Sequence, residues 1–173
     1  MTADADAEDV ALAAAGDVHA FERLYYRHAG RVRSLARRFV GHGDVDDATQ
    51  DVFLRAWHKL ALFRGDAAFG TWLHRLAVNL LLRRAEVAAR ADLRNDEMTN
   101  ELPAPAGVSL DLSLDVDAVL ARLEPALREV VVLHDMEGYS HEEIATLLGI
   151  TASGSKMRLH RARTALRANA RER

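Results

Sequence analysis

Residues 138–166 read GYSHEEIATLLGITASGSKMRLHRARTAL and have the pattern of a helix-turn-helix. Ser140, followed three residues later by Glu143, predicts a capping box at the start of a helix. Gly149 stands where a helix ends in a left-handed residue, and Thr151 can cap the helix that follows. The stretch therefore predicts a short capped helix, a glycine turn and a second helix.

The second predicted helix is apolar on one side and cationic on the other. Its predicted inner stripe follows spacings of four, three and four residues and consists of Ser155, Leu159, Ala162 and Leu166. From residue 151 to the end of the chain the net charge is +6. A basic second helix of this kind suits the major groove of duplex DNA. The alternative is a solvated basic helix in an ordinary bundle.

The inner stripe fixes which side chains of the second helix face outward. Four of them are predicted to project together, namely Lys156, Met157, His160 and Arg161. Lys156 and Arg161 can donate to guanine O6 and N7, whereas Arg163 and Arg167 lie further along and are expected to meet phosphate. The pattern thus separates side chains that read bases from side chains that hold the backbone.

The composition is that of a soluble, globular, all-α protein. Of 173 residues, 49% are hydrophobic and 28% charged, and strand-like alternation is nearly absent. The absence of cysteine excludes disulfides and thiolate metal sites. No apolar run approaches the roughly 20 residues that span a bilayer, and nothing at the N-terminus resembles a signal core. We therefore expect a cytoplasmic protein with no membrane insertion.

The net charge of −3 hides a strong division along the chain. Residues 1–9 carry −4 and residues 10–84 carry +5, while residues 85–115 and 116–150 carry −5 each. Two basic blocks therefore flank an acidic middle. This asymmetry indicates contact with a polyanion at two separate places.

The first half of the chain reads as two amphipathic helices. The opening residues 1–9 are expected to be disordered, with helix beginning near Asp9. A helix with acidic first turns is expected from Asp44, and its apolar stripe leaves Asp47, Gln50 and Asp51 toward solvent. Acidic residues also complement the dipole at a helix N-terminus, and the pattern alone favours that simpler explanation.

An aromatic loop follows at residues 63–70, FRGDAAFG, and the helix after it carries basic residues. Phe63, Arg64 and Asn79 are the candidate residues for stacking and hydrogen-bonding single-stranded bases. The aromatic residues fit a hydrophobic core equally well, and Phe69 in particular suits one. Spacing alone leaves both interpretations open.

The chain divides into two predicted helical domains. Periodicity is lost over residues 86–115, which read as a mobile acidic linker. Packing resumes with Val116, and Pro125 sits at the first turn of a helix. The predicted domains are residues 10–85 and 116–173.

Three motifs resemble, in order, those of the bacterial sigma factors of the small, two-domain extracytoplasmic-function type. They are DVDDATQDVFLRAW from Asp44, FRGDAAFGTWLHRLAVN from Phe63, and LEPALREVVVLHDMEGYSHEEIATLLGI from Leu123 followed by KMRLHRAR. The resemblance covers nearly the whole chain. It implies a transcription initiation factor that binds core RNA polymerase and directs it to promoters, with sigma region two in the first domain and region four in the second.

The resemblance also implies a role for each candidate residue. Asp47, Gln50 and Asp51 fall on the surface that docks on the coiled coil of the polymerase β′ subunit, and region four is expected to meet the β flap. Phe63, Arg64 and Asn79 match the part that captures minus-10 bases. The minus-35 duplex is read by the segment that carries Lys156, Met157, Arg158, His160, Arg161 and Arg163. An anti-sigma protein is an expected partner, and no cofactor or metal is expected.

Three positions depart from the usual pattern of that family. Val78 and Arg83 stand where a basic and an acidic residue are common, and Ser155 follows Gly154 where the second helix often has Thr-Val. The departures at Val78 and Arg83 affect the expected selectivity for minus-10 bases. The departure at Ser155, on the inner stripe, affects how the second helix is expected to pack and dock.

Two other classes of function fit the sequence less well than a sigma factor does. A free-standing, dimeric helix-turn-helix regulator has no use for the acidic face and aromatic loop of the first domain, and no heptad for dimerisation is present. The best case for an enzyme is a metal cluster formed by His134, Asp135, Glu137, His141 and Glu142. A helix break at Gly138 separates the two histidines, which therefore lack the one-face spacing of an HExxH site.

Overall fold

Apolar residues at helical spacing fold the chain into α-helices. The computed structural model describes residues 3–40, 44–95 and 112–171. The first helices are α1 Ala3–Ala14, α2 Val18–Val40, α3 Val45–Lys59 and α4 Phe69–Asn95, with a 3-10 turn at Leu60–Leu62. The later ones are α5 Leu112–Ala121, α6 Pro125–Val131, α7 His141–Leu148 and α8 Ala152–Arg171, with a π-helix at Val132–Met136. These described stretches contain no strand, so the all-α prediction is confirmed.

The chain forms two compact units, Met1–Arg83 and Arg84–Arg173, and the boundary falls within α4. In the first unit α2 packs against both α1 and α3. Leu24 and Val52 are fully buried, and the ring of Phe21 meets that of Trp57 edge-on at 4.9 Å between centroids. This packing buries one stripe of α3 and leaves its opposite face exposed to solvent.

Helix α4 buries one row of side chains and leaves others partly exposed. Trp72, Leu76 and Leu80 are only half-buried. The helix instead buries the row Phe69, Leu73, Ala77 and Leu81, together with Val78 and Leu82. Residues spaced by four positions are neighbours on one helix face. The face carrying Trp72 is therefore left for other contacts.

The N-terminal segment is helical, so the prediction of disorder over residues 1–9 is wrong from Ala3 onward. Asp6 accepts hydrogen bonds from Arg27 and His28, each at 2.9 Å. Asp9 accepts from Nε of Arg23 at 2.8 Å and is also bonded to Arg27. Acidic residues that look solvated in sequence are thus ion-paired with α2, which lies too far along the chain for local patterns to reveal.

Helices extend into both ends of the predicted linker. Helix α4 continues to Asn95, beyond the expected end at residue 85, and α5 already begins at Leu112. Residues 85–91 are rich in alanine, a strong helix former, and Arg90 donates to Glu86 one turn earlier at 2.5 Å. Residues 96–111 lie outside the described residues, and the linker there stays a prediction.

The second unit has its core between α6, the π-helix, α7 and α8. Val130, Leu133 and Ile144 are fully buried, whereas Val116, which was predicted to pack, is 46% exposed. Pro125 stands at the start of α6 as predicted. Nη2 of Arg128 donates to the carbonyls of Ala121 and Leu123 at 3.1 Å each, and thereby caps the end of α5.

Candidate nucleic-acid and protein interfaces

The predicted helix-turn-helix is present with each of its caps. The hydroxyl of Ser140 accepts from the N–H of Glu143 at 3.2 Å, and the Glu143 carboxylate accepts from the N–H of Ser140 at 2.9 Å. Gly149 is left-handed at φ 64°, and the Thr151 hydroxyl accepts from the N–H of Gly154 at 2.9 Å. The capping box, the glycine end and the second cap are therefore confirmed.

The inner stripe of α8 sets the orientation of its outer surface. Ser155 and Ala162 are fully buried and Leu159 nearly so, while Leu166 is half-buried. The four side chains predicted to face outward are all exposed, namely Lys156, Met157, His160 and Arg161. These four residues, called the outer surface of α8 below, combine two permanent cations with an apolar thioether.

Two other cations of α8 are engaged within the unit. Arg163 donates to Asp135 through Nε at 3.1 Å and Nη2 at 2.6 Å, and this arginine holds the pKa of the Asp135 carboxyl below its usual value. Arg158 is half-buried near Glu129; burial raises the pKa of that carboxyl and the charge of Arg158 opposes the rise. Arg158 and Arg163, which the resemblance assigns to the segment that reads the minus-35 duplex, thus each have a partner on a distant segment of the chain.

Two histidines meet where the π-helix leads into the helix-turn-helix. The rings of His134 and His141 stack at 4.5 Å between centroids with planes 25° apart. Nδ1 of His141 is hydrogen-bonded to the buried hydroxyl of Ser155 at 2.9 Å. Across the described residues, no group of three or more histidines, cysteines or carboxylates could hold a metal ion.

The exposed side of α3 is acidic with one apolar residue at its end. Asp47, Gln50 and Asp51 are exposed as predicted from sequence. Leu54, 58% exposed, continues the same face one turn later and was not anticipated. The sequence did contain a signal for Leu54, because positions 47, 50, 51 and 54 follow the i, i+3, i+4, i+7 pattern of one helix face. Leu54 thus adds one large apolar side chain to this acidic face.

The aromatic loop is built on the start of α4. Phe63 is half-buried, and its ring lies 5.2 Å from that of Trp72 and 6.1 Å from that of Phe69. Phe69 is buried, in agreement with its assignment to the core. Arg64 is largely exposed and pairs with Asp66 at 3.3 Å. Phe63 thus rests on a core that leaves part of its ring accessible.

Asn79 is exposed two turns after Trp72 on the same side of α4. Its amide Nδ2 donates to the carbonyl of Arg75 at 2.8 Å, which leaves the amide oxygen directed away from the helix backbone. Val78 is fully buried, so its departure from the usual residue affects packing rather than a surface contact. Sequence reasoning did not single out Trp72, whose half-exposed ring connects Phe63 with this face.

None of the described helices is both long and apolar enough to cross a membrane.

Two protein-family models match the chain. The model described as Sigma-70 region 2 matches residues 24–91, and the model described as Sigma-70, region 4 matches residues 113–166. The first covers the acidic face and the aromatic loop, and the second covers the helix-turn-helix.

Similar proteins cover nearly the same length. RNA polymerase sigma factor NccH of Alcaligenes xylosoxydans xylosoxydans is 39% identical over 166 residues, spanning 90% of this chain and 89% of that protein. ECF RNA polymerase sigma-E factor of Escherichia coli (strain K12) is 34% identical, spanning 87% and 86%.

Solved structures show a similar fold. CnrH in complex with the cytosolic domain of CnrY has a TM-score of 0.59 at 32% identity, covering 97% of this chain and 98% of that one. The sigma factor RpoE in complex with the anti-sigma factor NepR, from Bartonella quintana, has a TM-score of 0.60 at 27% identity, covering 87% and 96%.

Proposed function

Because this chain belongs to the sigma-70 family of RNA polymerase sigma factors, we propose that its helix-turn-helix reads the minus-35 duplex while its first unit binds core polymerase and captures minus-10 bases. The chain is a transcription initiation factor that directs RNA polymerase to promoters. What is proposed is the division of that task among its residues.

The outer surface of α8 carries the minus-35 contacts. Two exposed cations, Lys156 and Arg161, suit guanine O6 and N7, and the Met157 thioether suits the methyl group of thymine. Arg158 and Arg163 contribute less to DNA binding, since each already interacts with a carboxylate of its own unit. The observation that carries this proposal is the exposure of all four outer residues on a helix whose rotation is fixed by buried Ser155, Leu159 and Ala162.

The first unit carries polymerase binding on α3 and base capture on the loop. The face formed by Asp47, Gln50, Asp51 and Leu54 is offered to the β′ coiled coil, while the second unit meets the β flap. A partly accessible Phe63 ring can stack on an unpaired base. Arg64 can meet phosphate, and the outward amide oxygen of Asn79 can accept from a base edge.

Three further properties are part of the proposal. The chain acts in the cytoplasm, where RNA polymerase and the chromosome are. It has no catalytic residues of its own, because its work is to bind and position polymerase and DNA. An anti-sigma protein is a proposed partner, supported by the similar chains CnrH and RpoE, whose structures hold CnrY and the anti-sigma factor NepR.

The test mixes the pure full-length chain with core RNA polymerase and a library of promoter fragments. A sigma factor yields transcripts with defined start sites that depend on the added chain. Core polymerase alone, and core with the heat-denatured chain, are the controls. Binding to duplex DNA without core, together with no start site in its presence, would instead identify a free-standing regulator.

A further inference from the structure

A chain of polar contacts joins the entry of the helix-turn-helix to α8. His134 of the π-helix and His141, the first residue of α7, stack at 4.5 Å. Nδ1 of His134 is bonded to Oδ1 of Asp135 at 2.9 Å, and that carboxylate accepts from Arg163. The stacked rings therefore lie between an ion pair and the buried Ser155 hydroxyl to which His141 is bonded.

This series of polar contacts reaches α8 at two residues. Ser155 and Arg163 are eight residues apart, which is about two helical turns. Two contacts at that separation act together with the buried stripe to fix the rotation of α8 and its tilt relative to α7. The residues of the outer surface of α8 lie between these two points, so the direction of that surface depends on them as well as on the stripe.

We propose that the His134–His141 stack is a positioning device for α8, which holds the outer surface in its DNA-reading direction while both rings are neutral and releases it when both are protonated. The inference rests on the proposed assignment of this surface to the minus-35 duplex. His134 and His141 are positioning residues here, because neither belongs to the outer surface.

The charges around the stack make a second proton unfavourable. Burial lowers the pKa of His141, and the neighbouring His134, Lys156 and Arg163 lower it further. Glu142 on α7 opposes that shift, and Asp135 on the π-helix faces His134 while it binds Arg163. The cations thus come from α8 itself, and a proton on His141 is repelled by the helix that it holds.

Protonation also changes the hydrogen bond to Ser155. When Nδ1 of His141 carries no proton, the Ser155 hydroxyl donates to it. A ring that is protonated on both nitrogens carries an N–H at Nδ1. The Ser155 hydroxyl must then point its own hydrogen elsewhere and accept the hydrogen bond instead of donating it. The pKa of His141 is lower in the folded unit than in the unfolded chain. Its contribution to the free energy of unfolding is therefore fully present above the ordinary pKa near 6.5 and falls as the pH drops below that value.

The test compares wild type with His141→Asn in reconstituted holoenzyme. Asparagine places a hydrogen-bonding atom where Nδ1 stood, so it preserves the bond to Ser155 but cannot take up a proton. The probe is a minus-35 duplex selected by wild-type holoenzyme from a randomised pool at about pH 7.5. Between about pH 7.5 and pH 5.5 we expect wild type to lose several-fold more affinity than His141→Asn, because only the wild-type ring can take up the proton that its folded surroundings disfavour.

His19→Asn is the matched control, because it removes an exposed histidine of the first unit and should follow wild type. His160 of the outer surface is unchanged in all three proteins and therefore does not distinguish them. Two measurements on the full chain need no DNA. These are the thermal midpoint of the second unit and the NMR titration of the His134 and His141 rings, each over the same pH range.

Each outcome decides a different step. Equal pH dependence of affinity in wild type and His141→Asn overturns the positioning role, even if the rings are coupled. Independent titration of the two rings at ordinary values overturns the device itself, and requires no folded variant. If holoenzyme selects no duplex at any pH while the rings titrate together, the minus-35 assignment fails and the positioning role falls with it.

Discussion

Arg161 and Arg163 stand two residues apart on α8 in different surroundings. Arg163 forms a bidentate ion pair with Asp135, so a guanidinium held in this way has fewer N–H donors available for a ligand. Arg161 is exposed, on the surface whose direction the inner stripe fixes. A base-reading role therefore suits Arg161 better than its neighbour.

Base reading and phosphate holding by α8 can be separated by two substitutions. Arg161→Ala should relax sequence preference at one or two minus-35 positions, at a cost of about 1 to 3 kcal/mol of discrimination. Arg167→Ala should weaken binding to all sequences alike and reduce the salt slope by roughly one unit. Selection from a randomised minus-35 pool reads the first effect, and binding at a series of salt concentrations reads the second.

Neither substitution should change affinity for core polymerase, since neither Arg161 nor Arg167 is assigned to a polymerase contact in our proposal. If Arg161→Ala selects the wild-type sequence, Arg161 does not face the groove.

Phe63 and Asn79 should act in DNA opening rather than in polymerase binding. Stacking is worth about 1 to 3 kcal/mol per base, and an unstacked base needs such a partner to stay open. Phe63→Ala or Asn79→Ala should therefore reduce permanganate reactivity of unpaired thymines in the open complex, with core binding near normal. Phe63→Leu separates stacking from bulk, because leucine fills the space beside Trp72 without an aromatic face.

Thr71→Ala, an exposed change on the same helix, should behave as wild type. Wild-type reactivity in both alanine variants would mean that the loop is structural.

At the scale of elements, α3 combines a buried stripe with an acidic exposed face. Its inner side rests on α2, so substitutions on the outer side should leave helicity intact. Asp47→Lys together with Asp51→Lys should weaken core binding by about tenfold at low salt, because reversed charges remove electrostatic complementarity. A pull-down with core polymerase measures this. Glu22→Lys on α2 is the control for a charge reversal elsewhere, and an equal effect there would refute the assignment.

Helix α1 is fastened to α2 by ion pairs, and these should be sensitive to acid. Hydrogen bonds from Arg23 and Arg27 lower the pKa of the Asp9 carboxyl. Its stabilising effect is therefore complete above the ordinary value of 3.8 and is lost as the pH falls through the lowered one. Asp9→Asn should reduce the thermal midpoint of the first unit at neutral pH, and the difference from wild type should vanish in strong acid.

Glu8→Gln, the neighbouring exposed acid, is the matched control. A difference that persists in acid strong enough to protonate the Asp9 carboxyl in the folded unit would exclude the ion pairs as its cause.

At the scale of the whole molecule, the two compact units should lose stability separately. Leu24 and Ile144 are fully buried, one in each unit. Replacing either with alanine leaves a cavity and should cost about 2 to 5 kcal/mol in its own unit. Amide hydrogen exchange should show lower protection only in the substituted unit. A loss of protection in both units would show that they unfold together.

The sequence by itself determined the all-α class, the family and the helix-turn-helix with its caps. Those features depend on residues a few positions apart, such as Ser140 with Glu143 or Thr151 with Gly154, and local hydrogen bonds fix them wherever the chain lies. The exposed acidic positions of α3 followed from periodicity in the same way.

Only the tertiary structure decided which charges remain available at the surface. Asp9 with Arg23, Asp135 with Arg163 and the stacked histidines are separated by 7 to 28 residues. The folded backbone brings them together, and no helical spacing encodes that. The buried row of α4 likewise depends on which neighbours pack against it. Charge pairing and burial are properties of contacts between elements, so they first appear when the elements meet.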